Sequence, residues 1–321
     1  MTLWLCSLAF AGLAADAPAE VKLSEESIVR FATAQEGQAV LTTDDAFTRS
    51  LSKFDLQSRL KTADAVTLDD WKKSVVQHVR PWQPEEIAAV SESFQRLSKP
   101  LGQLRLPLPK SVLLIRTTGD EESNAAYTRG AAIILPARVV KYAQGPLDKL
   151  VAHELFHVLS RHDGALRARL YRIIGFEVRE PIEFPKSLAD RRITNPDAPL
   201  VDCTIELTNA EGQAVVGAPI LYASPASYNA EKKGSMFGYL TFRLLAVEND
   251  GGRWQARLVR GEPVVIDPKK EPAFFEKIGK NTNYVIHPDE ILADNFVHLV
   301  LGTKDLATPR IVDEMRAALA K

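Results

Sequence analysis

Apolar positions in the first hundred residues recur at helical intervals. In QPEEIAAVSESFQRLSK (83–99), Ile87, Val90, Phe94 and Leu97 fall on one face, and Pro84 suits a first helical position. TTDDAFTRSLSKF (42–54) and TLDDWKKSVVQHV (67–79) each open on a capping threonine, Thr43 and Thr67, followed by acids in the first turn. The period then shortens. KSVLLIRT (110–117) and GAAIILP (130–136) are short apolar runs of strand character, the second ended by Pro136. After Gly145-Pro146 a helical pattern returns in PLDKLVAHELFHVLSR (146–161), with Leu147, Leu150, Val151, Leu155 and Val158 on its apolar side. The triplet HDG breaks it, and ALRARLYRIIGF (165–176) predicts a further helix.

From about Glu183 the pattern alternates. VDCTIELTNAEGQAVVGAPILYAS (201–224) and GYLTFRLLAVENDGGRWQARLV (238–259) predict strands split by Asn/Gly turns, an antiparallel β segment in the size range of a small module. Helix resumes in HPDEILADNFVHLVLG (287–302) and in an amphipathic stretch from Pro309. The fold class expected is α+β. The expected division is a leader over 1–17, a helical region with the central helix over 18–182, a β-rich insertion over 183–270 and C-terminal helices over 271–321.

The leader rests on an apolar run from Leu3 to Ala14 followed by small residues, which predicts export to the periplasm, cell envelope or medium. No basic residue precedes the run, and Cys6 lacks the context of a lipid-modified cysteine. With the leader removed only Cys203 remains, so no internal disulfide is expected. No later stretch reaches the length of a membrane span. Forty Lys and Arg balance 41 Asp and Glu for a net charge of −1, which gives no footprint for nucleic acid. Nothing in the sequence fixes an oligomeric state.

The chemistry concentrates in HELFH. His153 and His157 are four apart, so a helix presents both on one face, about 6 Å apart along the axis. Two imidazoles and a third ligand hold zinc with one position open for water, and Glu154 beside them can take that water's proton. Two residues compete for third ligand. Asp163 follows closely, but Ser160 stands where a turning glycine would return the chain to the metal, and Asp163-Gly164 also reads as a helix stop. His162 is one position out of register for that role. Glu290 lies in HPDEILADNF, where His287 can cap the helix and Pro288 begin it. Asp294, four residues on, can accept the outer N–H of a ligating histidine. This pair is the favoured one.

HExxH with a later ExxAD resembles the gluzincins, the thermolysin-like zinc metallopeptidases. The resemblance covers about 111–161 and 284–302. It implies a zincin-like core with His153, His157 and Glu290 on zinc, Glu154 as general base and Asp294 orienting a zinc histidine. It also implies a peptide or protein substrate. AAYTRGAAIILP (125–136) looks like the family's substrate-binding edge strand, to which a peptide could add by strand pairing. Tyr127 and Arg129 precede it and could border the cleft. The family adds a Tyr or His that stabilises the oxyanion, and His287 or Tyr284 could fill that role. The β segment then stands as an insertion between the motifs. Two readings compete: an inactive zincin-like scaffold or envelope binding protein, and a zinc peptidase with Asp163 as third ligand. His298 and His78 read as packing or network histidines, and Phe156 as core.

Overall fold

The computed structural model describes residues 19–209, 212–232 and 234–321; the expected leader, with Cys6, lies outside the described residues. The chain opens with β1 (Glu20–Lys22) and β2 (Ile28–Phe31). Five helices follow, α1 (Ala34–Leu41), α2 (Ala46–Ser50), α3 (Lys53–Leu60), α4 (Leu68–Val76) and α5 (Pro84–Leu101). Next come β3 (Ser111–Thr117), β4 (Tyr127–Arg129) and β5 (Ala132–Pro136), then α6 (Gln144–His162) and α7 (Gly164–Ile173). A β-rich stretch holds β6 (Phe176–Val178), the short α8 (Lys186–Ala189), β7 (Cys203–Thr208), β8 (Ala214–Ala223), β9 (Leu240–Asp250) and β10 (Arg253–Ala256). It ends with β11 (Leu258–Val259), β12 (Glu262–Pro263) and β13 (Val265–Ile266). Three helices close the chain, α9 (Pro272–Ile278), α10 (Pro288–Leu301) and α11 (Pro309–Ala318). The class is mixed α+β.

The first sheet has the order β1-β2-β3-β5-β4, parallel across β2-β3 and β3-β5 and antiparallel at both flanks. A parallel strand covered on both faces carries a continuous apolar run, which accounts for VLLI (112–115) at the centre of β3. Val112, Leu114, Ile133 and Leu135 pack with Phe94 of α5 and with Val151 and Leu155 of α6 in the main core. Ile115 and Ile134 face the other way, onto Leu41, Phe47, Trp71 and Val75. The α5–α6 face of this sheet carries the central helix.

Capping chemistry sets the helix starts. Thr67 caps α4 and Pro84 opens α5, as the sequence predicts. Thr43 does not cap α2: its hydroxyl donates to the Ala39 carbonyl, and Asp45 takes the Thr48 N–H instead. Asp45 is held there by Arg129 at 2.7 Å. Within 125–136 the structure separates two strands, and the apolar run at 132–136 is the inner one. It lies between β3 and β4, and Tyr127–Arg129 forms the edge.

The second sheet runs β10-β9-β8-β7-β6, with β13 also paired to β9. Its first strand, β6, precedes residue 183. One face of the sheet shares the main core: Phe176, Cys203, Ile205, Leu207 and Leu244 pack in the same cluster as Leu170 and Phe296. The other face has a cluster of its own around Ile182, Val201, Ile220 and Leu245. Leu221, Tyr228 and Met236 also meet Phe54 of α3, so the β segment is tied to the N-terminal helices.

A buried ion-pair network reinforces that tie. Arg59 contacts Asp55 at 2.5 Å and Glu122 at 2.5 and 2.8 Å, with all three side chains nearly inaccessible. The same guanidinium donates to the Thr194 carbonyl, and the Thr194 N–H and hydroxyl donate back to Asp55. Burial pushes Glu122 up to about 6 despite the facing arginine. Removing one member leaves buried charges unpaired. Arg59→Leu is therefore expected to cost about 3–5 kcal/mol in urea unfolding. Arg316→Ala, which breaks an exposed pair with Asp313, should change stability by less than about 0.5 kcal/mol.

Candidate metal centre

Helix α6 places His153 and His157 one turn apart on one face, and α10 crosses α6 on that side. Phe156 and Phe296 pack at the crossing, with ring centroids 5.6 Å apart. Pro288 occupies the first helical position of α10, and the His287 ring accepts the Asp289 N–H as its cap. Glu290 is thereby delivered to the histidines. Its Oε2 lies 3.1 Å from His153 Nε2 and 3.4 Å from His157 Nε2. The three candidate donor atoms lie within 4.8 Å of one another.

Each imidazole is fixed from behind by a carboxylate. His153 Nδ1 meets Asp294 Oδ1 at 3.0 Å, and Asp294 also accepts the Thr282 hydroxyl. His157 Nδ1 meets Asp289 Oδ2 at 2.7 Å. The second Asp289 oxygen accepts Ser160 Oγ at 2.6 Å and the Tyr171 hydroxyl at 3.0 Å. With Nδ1 donating, Nε2 offers its lone pair toward Glu290. Ser160, in place of a glycine that would turn the chain, thus helps orient His157 through Asp289.

The electrostatics call for positive charge at this point. Burial opposes ionisation of His153, yet the hydrogen bonds to Asp294 and Glu290 outweigh it and raise its pKa to about 10. His157 is likewise raised, against burial, by Asp197 and Glu290. Glu290 is held well below its ordinary value, against its own burial, by His157 and His153. A divalent ion on neutral imidazoles supplies the same charge that two protons would. The donor set fits such an ion, and two buried atoms at the centre, His157 Nε2 and Glu154 Oε2, have no hydrogen-bond partner among the described residues.

The centre opens on a cleft of about 750 Å³ lined by His153, Glu154, Glu290 and Tyr284. Glu154 is 3% exposed, and burial, then the Asp197 charge, raises its pKa. A carboxylate so placed is suited to proton exchange near neutral pH. Tyr284 is 41% exposed on the cleft wall and stacks on His153 at 6.4 Å between centroids; the protein packed around its ring and then the Glu290 charge raise its pKa, so it remains a hydroxyl donor.

Other expected residues lie elsewhere. His287 does not reach the cleft: it is buried against Tyr171, its Nδ1 takes the Asp289 N–H, and its Nε2 is 3.8 Å from Cys203 Sγ. Burial lowers its pKa to about 4, leaving it a neutral cap. Asp163 ends α6 and caps α7, accepting the Leu166 N–H at 2.9 Å, and the cluster that could hold an ion is formed by His153, His157 and Glu290 without it. His162 is exposed. His298 bonds Thr303 and the Asn281 carbonyl at the cleft's margin, and His78 bonds Thr118.

Three site residues had no clear signal in the sequence. Asp289 read only as a first-turn acid of α10. Asn195 donates to Glu290 Oε1 at 2.6 Å, and Asp197 comes within 4.8 Å of Glu154 and His157. Both lie in TNPD (194–197), whose only local signal is a turn. Because Asp289 and Asp294 fix the two rings, Asp289→Asn or Asp294→Asn should weaken divalent-metal affinity about 10–100-fold by calorimetric titration. Asp163→Asn, which keeps a helix cap, should leave it unchanged. No protein-family model, curated protein or solved structure matches this chain.

Proposed function

We propose that the chain is an exported zinc-dependent metallopeptidase of gluzincin type. One observation carries this reading: two imidazoles one helical turn apart, each anchored through Nδ1, present Nε2 to a single oxygen of Glu290 at the wall of a cleft that also holds Glu154. His153, His157 and Glu290 would hold the ion. When bound, zinc supplies a Lewis acid that polarises a carbonyl and lowers the pKa of water.

The remaining steps belong to side chains. Glu154, buried and without a hydrogen-bond partner at Oε2 among the described residues, accepts the proton of the attacking water and delivers it to the leaving amine. Asp294 and Asp289 keep the imidazoles in the ligating tautomer. Asn195 holds the second oxygen of Glu290, leaving Oε2 free to ligate. Tyr284, on the cleft wall, donates its hydroxyl to the oxyanion of the tetrahedral intermediate.

Zinc content and peptide hydrolysis, measured on the same samples, test the proposal. His153→Ala should lose stoichiometric zinc. Glu154→Gln should keep it and lose hydrolysis by about 10²–10⁴-fold. A zinc-loaded Glu154→Gln protein that cleaves peptides at the wild-type rate sinks the mechanism. Tyr284→Phe should lower kcat by about 10²-fold with little change in KM; an unchanged kcat removes Tyr284 from the chemistry.

A further inference from the structure

The edge strand is closed to an incoming peptide. Tyr127, Thr128 and Arg129 are at most 3% exposed. The Thr128 N–H and hydroxyl both donate to Asp197 Oδ1, at 2.7 and 2.6 Å. Arg161, at the end of α6, donates to the Thr128 hydroxyl and the Asp197 carbonyl, and Asn195 accepts the Asp197 N–H. Strand N–H groups alternate sides, so Ala126 is the next that can face outward, and it lines the cleft. An extended substrate pairing beside Ala125 and Ala126 must therefore end at Asp197.

Charge decides which end of the substrate stops there. Asp197, Glu154 and His157 offer polar atoms within 4.8 Å of one another, and Glu154 Oε2 is buried with no partner among the described residues. Among the described residues neither carboxylate pairs with a lysine or arginine. The cleft also holds Glu290, Asp294 and, behind His157, Asp289. One dication and the nearby Arg161 leave this array negative. A carboxylate terminus would be repelled and an ammonium attracted. Lys149, one turn before His153, lines the same cleft toward the start of α6 and suits the carboxyl-terminal side of the chain. An antiparallel pairing meets the same condition, since it sets the substrate's amino end at the Thr128 end of the strand.

Resting on the metallopeptidase reading, we propose that the cleft takes the free amino terminus of a peptide. Asp197 anchors the α-ammonium, Glu154 stays free to act as the base, and the chain removes residues one at a time from that end. Each cycle consumes one water and one peptide bond and releases an amino acid and a peptide shortened by one residue. The first side chain enters a narrow recess of about 40 Å³ walled by Leu221, Met236, Leu240 and Ile286, which shares Asp197 and Tyr284 with the cleft. That volume suits a short aliphatic group.

The test compares alanine hydroxamate with N-acetylalanine hydroxamate, which share a metal-binding group and differ in the ammonium. Calorimetry on the zinc-loaded wild-type protein should give a Kd at least about tenfold lower for the free amine. Asp197→Asn, which can still accept from Thr128, should bring the two within about threefold at an unchanged melting temperature. Trialanine should lose residues from its amino end while its N-acetyl form stays intact. Equal affinities in the wild type, a preference that survives in Asp197→Asn, or cleavage of the acetylated peptide at the free peptide's rate each overturns the amine anchor and leaves the metallopeptidase reading standing. A wild-type protein that retains no zinc overturns both. The wild-type comparison decides the question even where Asp197→Asn does not fold.

Discussion

One oxygen of Glu290 faces two imidazole nitrogens inside the protein, and the rest of the centre is arranged to make that tolerable. Burying a carboxylate beside two lone pairs is unfavourable unless positive charge sits among them. The first turns of α10 answer this with a division of labour: Asp289 holds His157, Glu290 faces both rings, and Asp294 holds His153. Acids are favoured at a helix amino terminus, where the unpaired N–H groups and the helix dipole lie. Pro288 and the His287 cap fix where that terminus falls, and the Phe156–Phe296 contact fixes how α10 meets α6. A shift of one residue in the start of α10 would move all three carboxylates off their partners.

The β segment takes part in the site through this geometry. One face of its sheet is continuous with the core beneath α7 and α10. The loop ahead of β7 crosses the cleft and supplies Asn195 and Asp197. That loop is held by Arg59 and Asp55 through Thr194, with Glu122 pairing Arg59. The site therefore draws on four stretches far apart in the chain: the N-terminal helices, α6, the approach to β7, and α10.

Much of this was legible in the sequence wherever the signal was local. The HExxH pair, the Pro288 start and the Glu290–Asp294 spacing all follow from helical periodicity, and the structure brings these residues together. Asp163 was legible as a helix stop for the same reason. What failed depended on partners distant in the chain. β1, β2 and β4 are three or four residues long, too short for a period, and exist because β3 and β5 are beside them. The edge strand lies within the expected 125–136, but which part of that stretch forms the edge is a matter of neighbour order. His287 carried two sequence meanings, cap and catalytic group, and only its burial against Tyr171 and Cys203 decides between them. Asn195 and Asp197 sit in a turn motif that nothing local ties to a helix on either side.

The separation of the two ligand helices along the chain also bears on how the protein folds. An ion shared by His157 and Glu290 would join segments with the whole β stretch looped between them, a cross-link whose closure removes freedom from the unfolded chain. Contacts so distant in sequence form late. Metal uptake at full affinity would then report that the β stretch has folded and returned α10 to α6, and a nick or deletion within that stretch would be felt first as a loosened ion.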